Sequence, residues 1–308
     1  MAIGRAVGYP DYTFDGSNKN IPLIFAGKTL EKLYAATMLS EIANIDYVGE
    51  VKNQGDKVII RTIPSITIKD YVKGQKLDLE HPESPSIEFT VDYAKYFNFA
   101  LDDIDTKQFD IKMMDKWSED AAKQMKIGIE THVFANIYLS AHANNKGSAA
   151  GKESADINLG VATAPLQLTK ANILDVLVDI GLVMDEQLVP ETDRWIVLPP
   201  WAIAMIKKSD LKDASLTGDT ESILRNGRIG RIDRLTIYNS SLLKTGTDGV
   251  KVWNSFFGHK MAFAFVTQLT KVETYRPQDT FADAMKGLNV YGFGVLQSLA
   301  LGHLYIRK

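Results

Sequence analysis

Asp102, Asp103 and Asp105 are the side chains of this sequence best placed to do chemistry. Three carboxylates this close together suit a hard divalent cation, and a cation so held can activate water for hydrolysis. The same residues also suit a plainer task. They stand where a long helix is predicted to begin, Gln108 follows Asp105 at capping-box spacing, and Asp110 adds charge beside the same helix start. Exposed amides and the helix macrodipole favour negative charge there, so capping accounts for the cluster without a metal. The five histidines, His81, His132, His142, His259 and His303, are scattered, and none falls in an HExxH spacing. Glu130 and His132 share the long helix but lie two residues apart, so they do not face each other. A structural or solvated role is expected for each histidine. The chain has no cysteine, which excludes thiolate nucleophiles, disulfides and cysteine-ligated metals. No nucleophile elbow, Walker sequence or GxGxxG is present, and neither a cofactor nor an enzymatic role is expected.

A second candidate lies at Arg225, Arg228, Arg231 and Arg234, four guanidinium groups at three-residue steps with Gly227 and Gly230 between them for a sharp turn. Such a row can grip phosphate, or carboxylates on another protein. A formal net charge of -3 argues against bulk nucleic-acid binding, so protein–protein contact is the favoured reading, beside that of an exposed turn with incidental charge.

The elements that must position these residues begin with residues 105–142. Met114, Trp117, Ala121, Met125, Ile129, Val133 and Ile137 recur at helical spacing, no proline interrupts them, and Gly128 is the one weak point. A helix of that length spans about 55 Å, wider than a small domain, and implies an extended molecule. Ahead of it, residues 1–20 read as an arm that orders against a partner, and Thr29 caps a predicted helix carrying Leu30, Leu33, Tyr34 and Met38.

From Asp46 the pattern changes period, to two. A strand over residues 58–68 is interrupted at Pro64, and its partner places Ile87, Phe89, Val91, Tyr93, Phe97 and Phe99 on one face. Between them lies a charged tip, residues 69–85, with Lys69, Asp70, Tyr71, Lys73 and Lys76. A two-stranded ribbon with an apolar face needs cover, from its own body or from a neighbouring molecule.

After the long helix, residues 144–164 are rich in Asn, Gly, Ser and Ala and read as a domain boundary. Thr169 then caps a helix with Ile173, Leu174, Leu177, Val178 and Leu182 apolar. A buried strand at residues 195–198 runs through Pro199 and Pro200 into a helix over 201–207, suggesting an α/β domain. A helix end, a turn and a strand with Ile232, Leu235 and Ile237 follow. Strands are predicted over 261–266, 271–275, 289–295 and 299–306, with a helical turn at 281–285. Hydrophobic and charged fractions of 45% and 24% are those of a soluble globular protein, with no signal peptide or spanning segment in view. The expected product is soluble and intracellular.

In this order the parts resemble the major capsid (coat) proteins of tailed double-stranded DNA bacteriophages, the fold named for phage Hong Kong 97. The resemblance runs from about residue 22 to the C-terminus. It is carried by residues 40–47 (SEIANIDY), 55–60 (GDKVII), 68–74 (IKDYVKG), 96–105 (YFNFALDDID) with Gln108, 226–232 (NGRIGRI), 237–240 (IYNS) and 281–292 (FADAMKGLNVYG). One departure is Asp233-Arg234, where relatives often carry Gly followed by an aromatic.

The resemblance implies an α+β, Hong Kong 97-type capsid fold with a long spine helix. Its expected parts are an N-terminal arm and short helix (1–45), an extended β-hairpin loop lying across an adjacent subunit (46–101), a peripheral domain holding the spine helix (102–165) and completed by C-terminal strands (256–308), and an axial α/β domain (166–255). It implies self-assembly as hexamers and pentamers into an icosahedral head around non-specifically held DNA, built in the bacterial cytoplasm and resident in the virion. Lys69, Asp70, Tyr71, Lys73, Arg225, Arg228, Arg231 and Arg234 become inter-subunit contact residues in that frame. The expected partners are other copies, a portal protein, a decoration protein and, because only a short arm precedes the fold, a separate scaffolding protein; no membrane partner is expected. Some relatives weld neighbours by a Lys–Asn isopeptide bond, and Lys69, Lys73 and Lys76 lie where such a lysine would be needed. An encapsulin-type nanocompartment, a carboxylate-dependent metal hydrolase and a nucleic-acid binder remain the competing readings.

Alanine at Asp102 and Asp103 separates the hydrolase from the capping reading. Capping predicts a stability loss of about 0.5–2 kcal/mol in urea titration, whereas the hydrolase reading requires loss of metal-dependent turnover.

Overall fold

The computed structural model describes residues 34–35, 37–46, 57–61, 63–64, 66–77, 79–83, 86–104, 113–209 and 230–308. The predicted Thr29-capped helix start and the Asp105/Gln108 capping box lie outside them. The described helices are α1 (Leu39–Ile42), α2 (Met113–Asn136), α3 (Ile173–Glu186) and α4 (Pro200–Lys208). The strands are β1 (Lys57–Arg61), β2 (Ser86–Thr90), β3 (Tyr93–Asp102), β4 (Leu166–Gln167), β5 (Arg194–Leu198), β6 (Arg231–Ile232), β7 (Leu235–Asn239), β8 (Thr245–Asp248), β9 (Val250–His259), β10 (Phe263–Tyr275), β11 (Ala282–Val295) and β12 (Leu301–Arg307).

They form three sheets: a β1–β2 ribbon, a three-stranded sheet ordered β10-β11-β3, and a seven-stranded sheet ordered β4-β12-β9-β5-β7-β6 with β8 paired to β9. β5 is the centre of the largest sheet. All five of its residues are buried, as its unbroken apolar run after Arg194 requires of a strand covered on both faces. It leads through Pro199, extended at φ -70 and ψ 154, into α4 with Pro200 in the first turn, where a proline costs the helix no hydrogen bond.

α3 begins through a reciprocal pair. The Thr169 N–H donates to Asn172 Oδ1 (2.7 Å) and the Asn172 N–H to Thr169 Oγ1 (3.3 Å), a capping-box logic with Asn in the acidic position. Its buried stripe is Ile173, Val176, Leu177, Ile180, Val183 and Met184. Val178 and Leu182, expected on that stripe, fall on the exposed flank, because the buried positions repeat at three- and four-residue steps from Ile173.

α2 is the rod predicted from the apolar spacing, with 24 described residues and a length of about 36 Å. It ends earlier than predicted. From Ile137 the chain tightens into a 3₁₀ turn, and the Asn136 amide donates to the His132 carbonyl, taking up an end group the helix leaves open. Trp117 meets Phe99 edge-on at 5.9 Å, while Phe134 meets Phe256 at 5.0 Å. One helix therefore packs its first half on the three-stranded sheet and its last turns in the core of the larger one.

Two expectations give way in the strands. The return strand is not one ribbon: β2 pairs with β1, whereas β3 pairs with β11, and the chain changes sheet at Val91–Asp92. Val91 is buried there with Ala264 and Val266. The crossing runs so close to β11 that a Cβ on Gly292 would lie 2.5 Å from the Thr90 carbonyl oxygen. The predicted helical turn at 281–285 is instead the start of β11, whose register against β3 runs from Ala282↔Asp102 to Tyr291↔Tyr93. Ala282 and Ala284 alternate inward with Asp283 outward, a period-2 signal that pairing resolves in favour of strand.

The Gly- and Ser-rich residues 144–164 are ordered against β12. The Asn145 amide donates to the carbonyls of Leu299 (2.7 Å) and Leu301 (3.1 Å), the Tyr305 N–H donates to Leu159, and Ala150, Ile157 and Leu159 are buried.

Phe134→Ala opens a cavity where α2 enters the larger core. Urea titration followed by circular dichroism should read a loss of about 3–5 kcal/mol with native secondary structure retained at zero denaturant.

Candidate self-association surface

Two faces of the hairpin pattern meet different fates. Phe97 and Phe99, on the proximal half, are covered by the molecule's own α2 and half-buried. The distal half has no such cover among the described residues. Ile63 is 94% exposed, Ile68 91%, and Leu77 and Leu79 both 82%, with Ile59, Ile66, Tyr71 and Val72 also on the surface. Sequence reasoning took this tip as polar because lysine and aspartate crowd it. The alternation of Ile66 with Ile68 and of Leu77 with Leu79, without an opposing apolar element, was the signal that marks them.

The tip holds its shape with few bonds. The Gln75 N–H donates to the Val72 carbonyl (2.9 Å) around Gly74 at φ 88, and Glu80 accepts from the Thr67 N–H and hydroxyl (3.3 Å each). Lys69, Asp70, Tyr71 and Lys73 are all exposed around this turn. They form one surface with the apolar side chains, which is the composition of a contact patch with a charged rim.

The arginine row is divided. Arg225 and Arg228 lie outside the described residues. Arg231 is exposed and its guanidinium donates to the Glu191 carbonyl at 3.4 Å. Arg234 is engaged by its own chain, with Glu191 Oε1 at 2.6 Å and Asp185 Oδ2 at 3.3 Å. A sharp turn is made by Asp233 and Arg234, at φ 44 and 65, and Gly227 lies outside the described residues. Such a two-residue turn normally takes Asn-Gly, and the ion pairs offset its backbone cost. Beneath it Arg194, 1% exposed, donates to Asp185 Oδ1 (2.6 Å) and to the carbonyls of Pro190 (2.8 Å), Val189 (2.5 Å) and Gly181 (3.4 Å). A buried guanidinium so fully bonded fixes the loop before β5.

The carboxylates gather no metal geometry among the described residues. Asp102 Oδ1 accepts the Ile104 N–H (2.8 Å), the capping bond its position predicted, and Asp103 is ion-paired to Arg276, which also holds Asp283 at 3.2 Å. Asp105 lies outside the described residues.

Histidines serve the packing. His132 Nδ1 lies 2.8 Å from the Tyr291 hydroxyl, His142 Nδ1 accepts the Asn144 N–H, His259 Nδ1 accepts the Met261 N–H, and His81 is exposed. Burial lowers His132 and His259 below the usual imidazole range. His303 stacks on Tyr138 at 4.7 Å with Nε2 3.0 Å from Asn254 Oδ1, and burial, with Lys146 nearby, pushes it down to about 4. No described helix is long and apolar enough to cross a membrane.

No family model matches this chain, and no curated protein does. Solved structures do. A structure from Mycobacterium phage Che8 aligns with a TM-score of 0.76 at 23% identity, over 93% of this chain and 97% of that one. The capsid of Cyanophage P-SCSP1u gives 0.70 at 15% identity over 93% of each chain. The mature capsid of bacteriophage PhiM1 gives 0.70 at 17% identity, over 96% of this chain and 95% of that one. The fold, a mixed α+β architecture, is that of phage capsid structures.

His303 makes stability pH-dependent. Its folded value lies below the ordinary 6.5, so between about pH 6.5 and 4 the unfolded chain binds a proton that the native state refuses, and stability falls as pH falls, by up to about 3 kcal/mol. His303→Gln should flatten that part of the stability–pH curve, measured by urea titration of the purified protein.

Proposed function

We propose that this chain is the major capsid protein of a tailed double-stranded DNA phage, a structural subunit and not an enzyme. It would assemble as hexamers and pentamers into a closed icosahedral head around packaged DNA. The observation that carries the reading is the uncovered distal hairpin, mounted on a fold shared with phage capsids over more than nine-tenths of the chain. Each large apolar side chain of that hairpin, if covered, contributes about 1.5–3 kcal/mol, and contacts of this size repeated around closed rings give a stable shell from modest pairs.

The finer parts follow the Hong Kong 97 plan. Residues 46–101 hold the extended loop, with β3 at its base, α2 is the spine, β10 and β11 with α2 form the peripheral region, and residues 166–255 form the axial region. Lys69, Asp70, Tyr71 and Lys73 would rim the contact made by the loop, and Arg231, with Arg225 and Arg228, would face copies around the ring centres. Arg234 would act by fixing the β6–β7 turn that presents them. A separate scaffolding protein, a portal and a decoration protein are the partners such a head uses, and the assembled chain would reside in the virion after assembly in the host cytoplasm. An encapsulin-type shell is the second reading on the same fold, and it differs in holding a protein cargo instead of DNA.

Deleting residues 66–88 tests the role of the hairpin. The shortened chain should remain folded and soluble by circular dichroism, yet give no closed particles by negative-stain microscopy when co-expressed with the phage's own assembly partners. Normal particles from that chain would sink the proposal. The double change Ile63→Asp and Ile68→Asp should act in the same direction, since each puts a charge where an apolar contact is needed.

A further inference from the structure

Residues 34–44 cross three parts of the molecule that are otherwise separate. At one end the Tyr34 hydroxyl donates to Asp120 Oδ1 on α2 (2.6 Å), and Lys123 Nζ stands 4.7 Å over the Tyr34 ring. In the middle Met38, Leu39, Ile42 and Ala43 are buried in the main core, while burial, with the Glu41 carboxylate nearby, raises the Tyr238 hydroxyl on β7 above its ordinary value. At the other end Asn44 bonds β10 in both directions, its N–H to the Phe263 carbonyl and its carbonyl to the Phe265 N–H, each at 3.0 Å. The spine, the three-stranded sheet and the seven-stranded sheet are thus tied by one short piece of chain. Only residues 45–56 separate it from β1, the rising strand of the hairpin.

The tie has one unusual bond. Glu130, within the last two turns of α2 and 1% exposed, accepts with Oε2 from the N–H groups of Met38 (2.7 Å) and Leu39 (3.1 Å). Its other oxygen, Oε1, is buried and takes no hydrogen bond from the described residues. Burial holds the carboxyl above the usual carboxylate range despite the two amides. A carboxylate is an expensive filler for such a place, where an apolar side chain of similar size packs at lower cost. What it supplies is a cap for α1. That helix is a single turn with no side-chain cap of its own, far below the length at which a helix holds itself together. Glu130 provides from another element the acceptor that α1 lacks locally.

We infer that residues 34–44 form a strap locking the root of the hairpin to the spine, and that Glu130 is the positioning residue that closes the lock. With the lock made, the rising side of the hairpin starts from a fixed point on α2. With it broken, α1 unwinds and the rising side of the hairpin loses its tie to α2, keeping only the Asn44–β10 bonds and the packing of Ile60 on Ala264 and Val266, while both sheets and the rod keep their packing. The inference does not depend on the capsid reading, since it concerns contacts within one chain.

Hydrogen–deuterium exchange on the full-length unassembled protein tests it, with Glu130→Ala and Glu130→Gln compared to the parent. Glu130→Ala should speed exchange of the Met38–Ala43 amides and of β1 and β2 by about tenfold, leaving α3, β5 and β9 within about twofold. Glu130→Gln keeps an acceptor oxygen and should restore most of the protection. Faster exchange confined to α1, β1 and β2 supports the strap. Unchanged exchange there overturns it, and so does an equal rise throughout the chain in Glu130→Ala, which would make Glu130 an ordinary core residue. Should Glu130→Ala not fold, Tyr34→Phe breaks the strap at its outer end. It should then raise exchange at residues 34–44 and β1 alone, and no rise there overturns the inference.

Discussion

Phe134 against Phe256 is the contact on which the architecture turns, because it commits the far end of one long helix to the core of the larger sheet. The near end of the same helix is held by Trp117 on Phe99, within the smaller sheet. A rod fixed at both ends sets the separation of the two sheets, and each sheet then needs only local packing. Burial of Ile129, Val133, Phe134 and Ile137 in one continuous core makes that arrangement rigid. α2 was legible in the sequence because one apolar stripe runs the length of a proline-free segment.

Rigidity at the centre contrasts with the hairpin. Its proximal strand pairs with β11 and shares the cover of the rod, while its distal part carries isoleucines and leucines almost wholly in solvent. The boundary between these regimes is a physical one. At Val91 the chain is pinned under β11 by the close approach that Gly292 permits, and farther out Ile63, Ile68, Leu77 and Leu79 are left exposed. An apolar ribbon in that position is stable only against another surface, and in the proposed function that surface is another copy.

The groups that looked chemical are absorbed by structure. Asp102 caps a helix start, Asp103 pairs with Arg276, Arg234 steadies a strained turn through Asp185 and Glu191, and His303 is a neutral stacked ring. Glu130 is the exception in kind, a charge-bearing group kept in the core where it closes a contact between distant segments. Its effect is mechanical: it decides where the rising side of the hairpin begins.

Periodicity alone determined much of this molecule. The rod, the buried strand before Pro199, the helix after it, the alternation along β3 and the capping task of Asp102 were all readable, because each depends on residues a few positions apart. So was the resemblance to phage coat proteins, carried by short stretches in a particular order. Long-range pairing decided the rest. Residues 281–285 became strand since β3 offered ten partners in register, the return strand split between two sheets at Val91, and the Gly- and Ser-rich residues 144–164 became ordered by donating to β12. Local sequence cannot name such partners, for a strand's neighbour and a buried carboxylate's donors lie dozens of residues away, and only the packed chain brings them within hydrogen-bond reach.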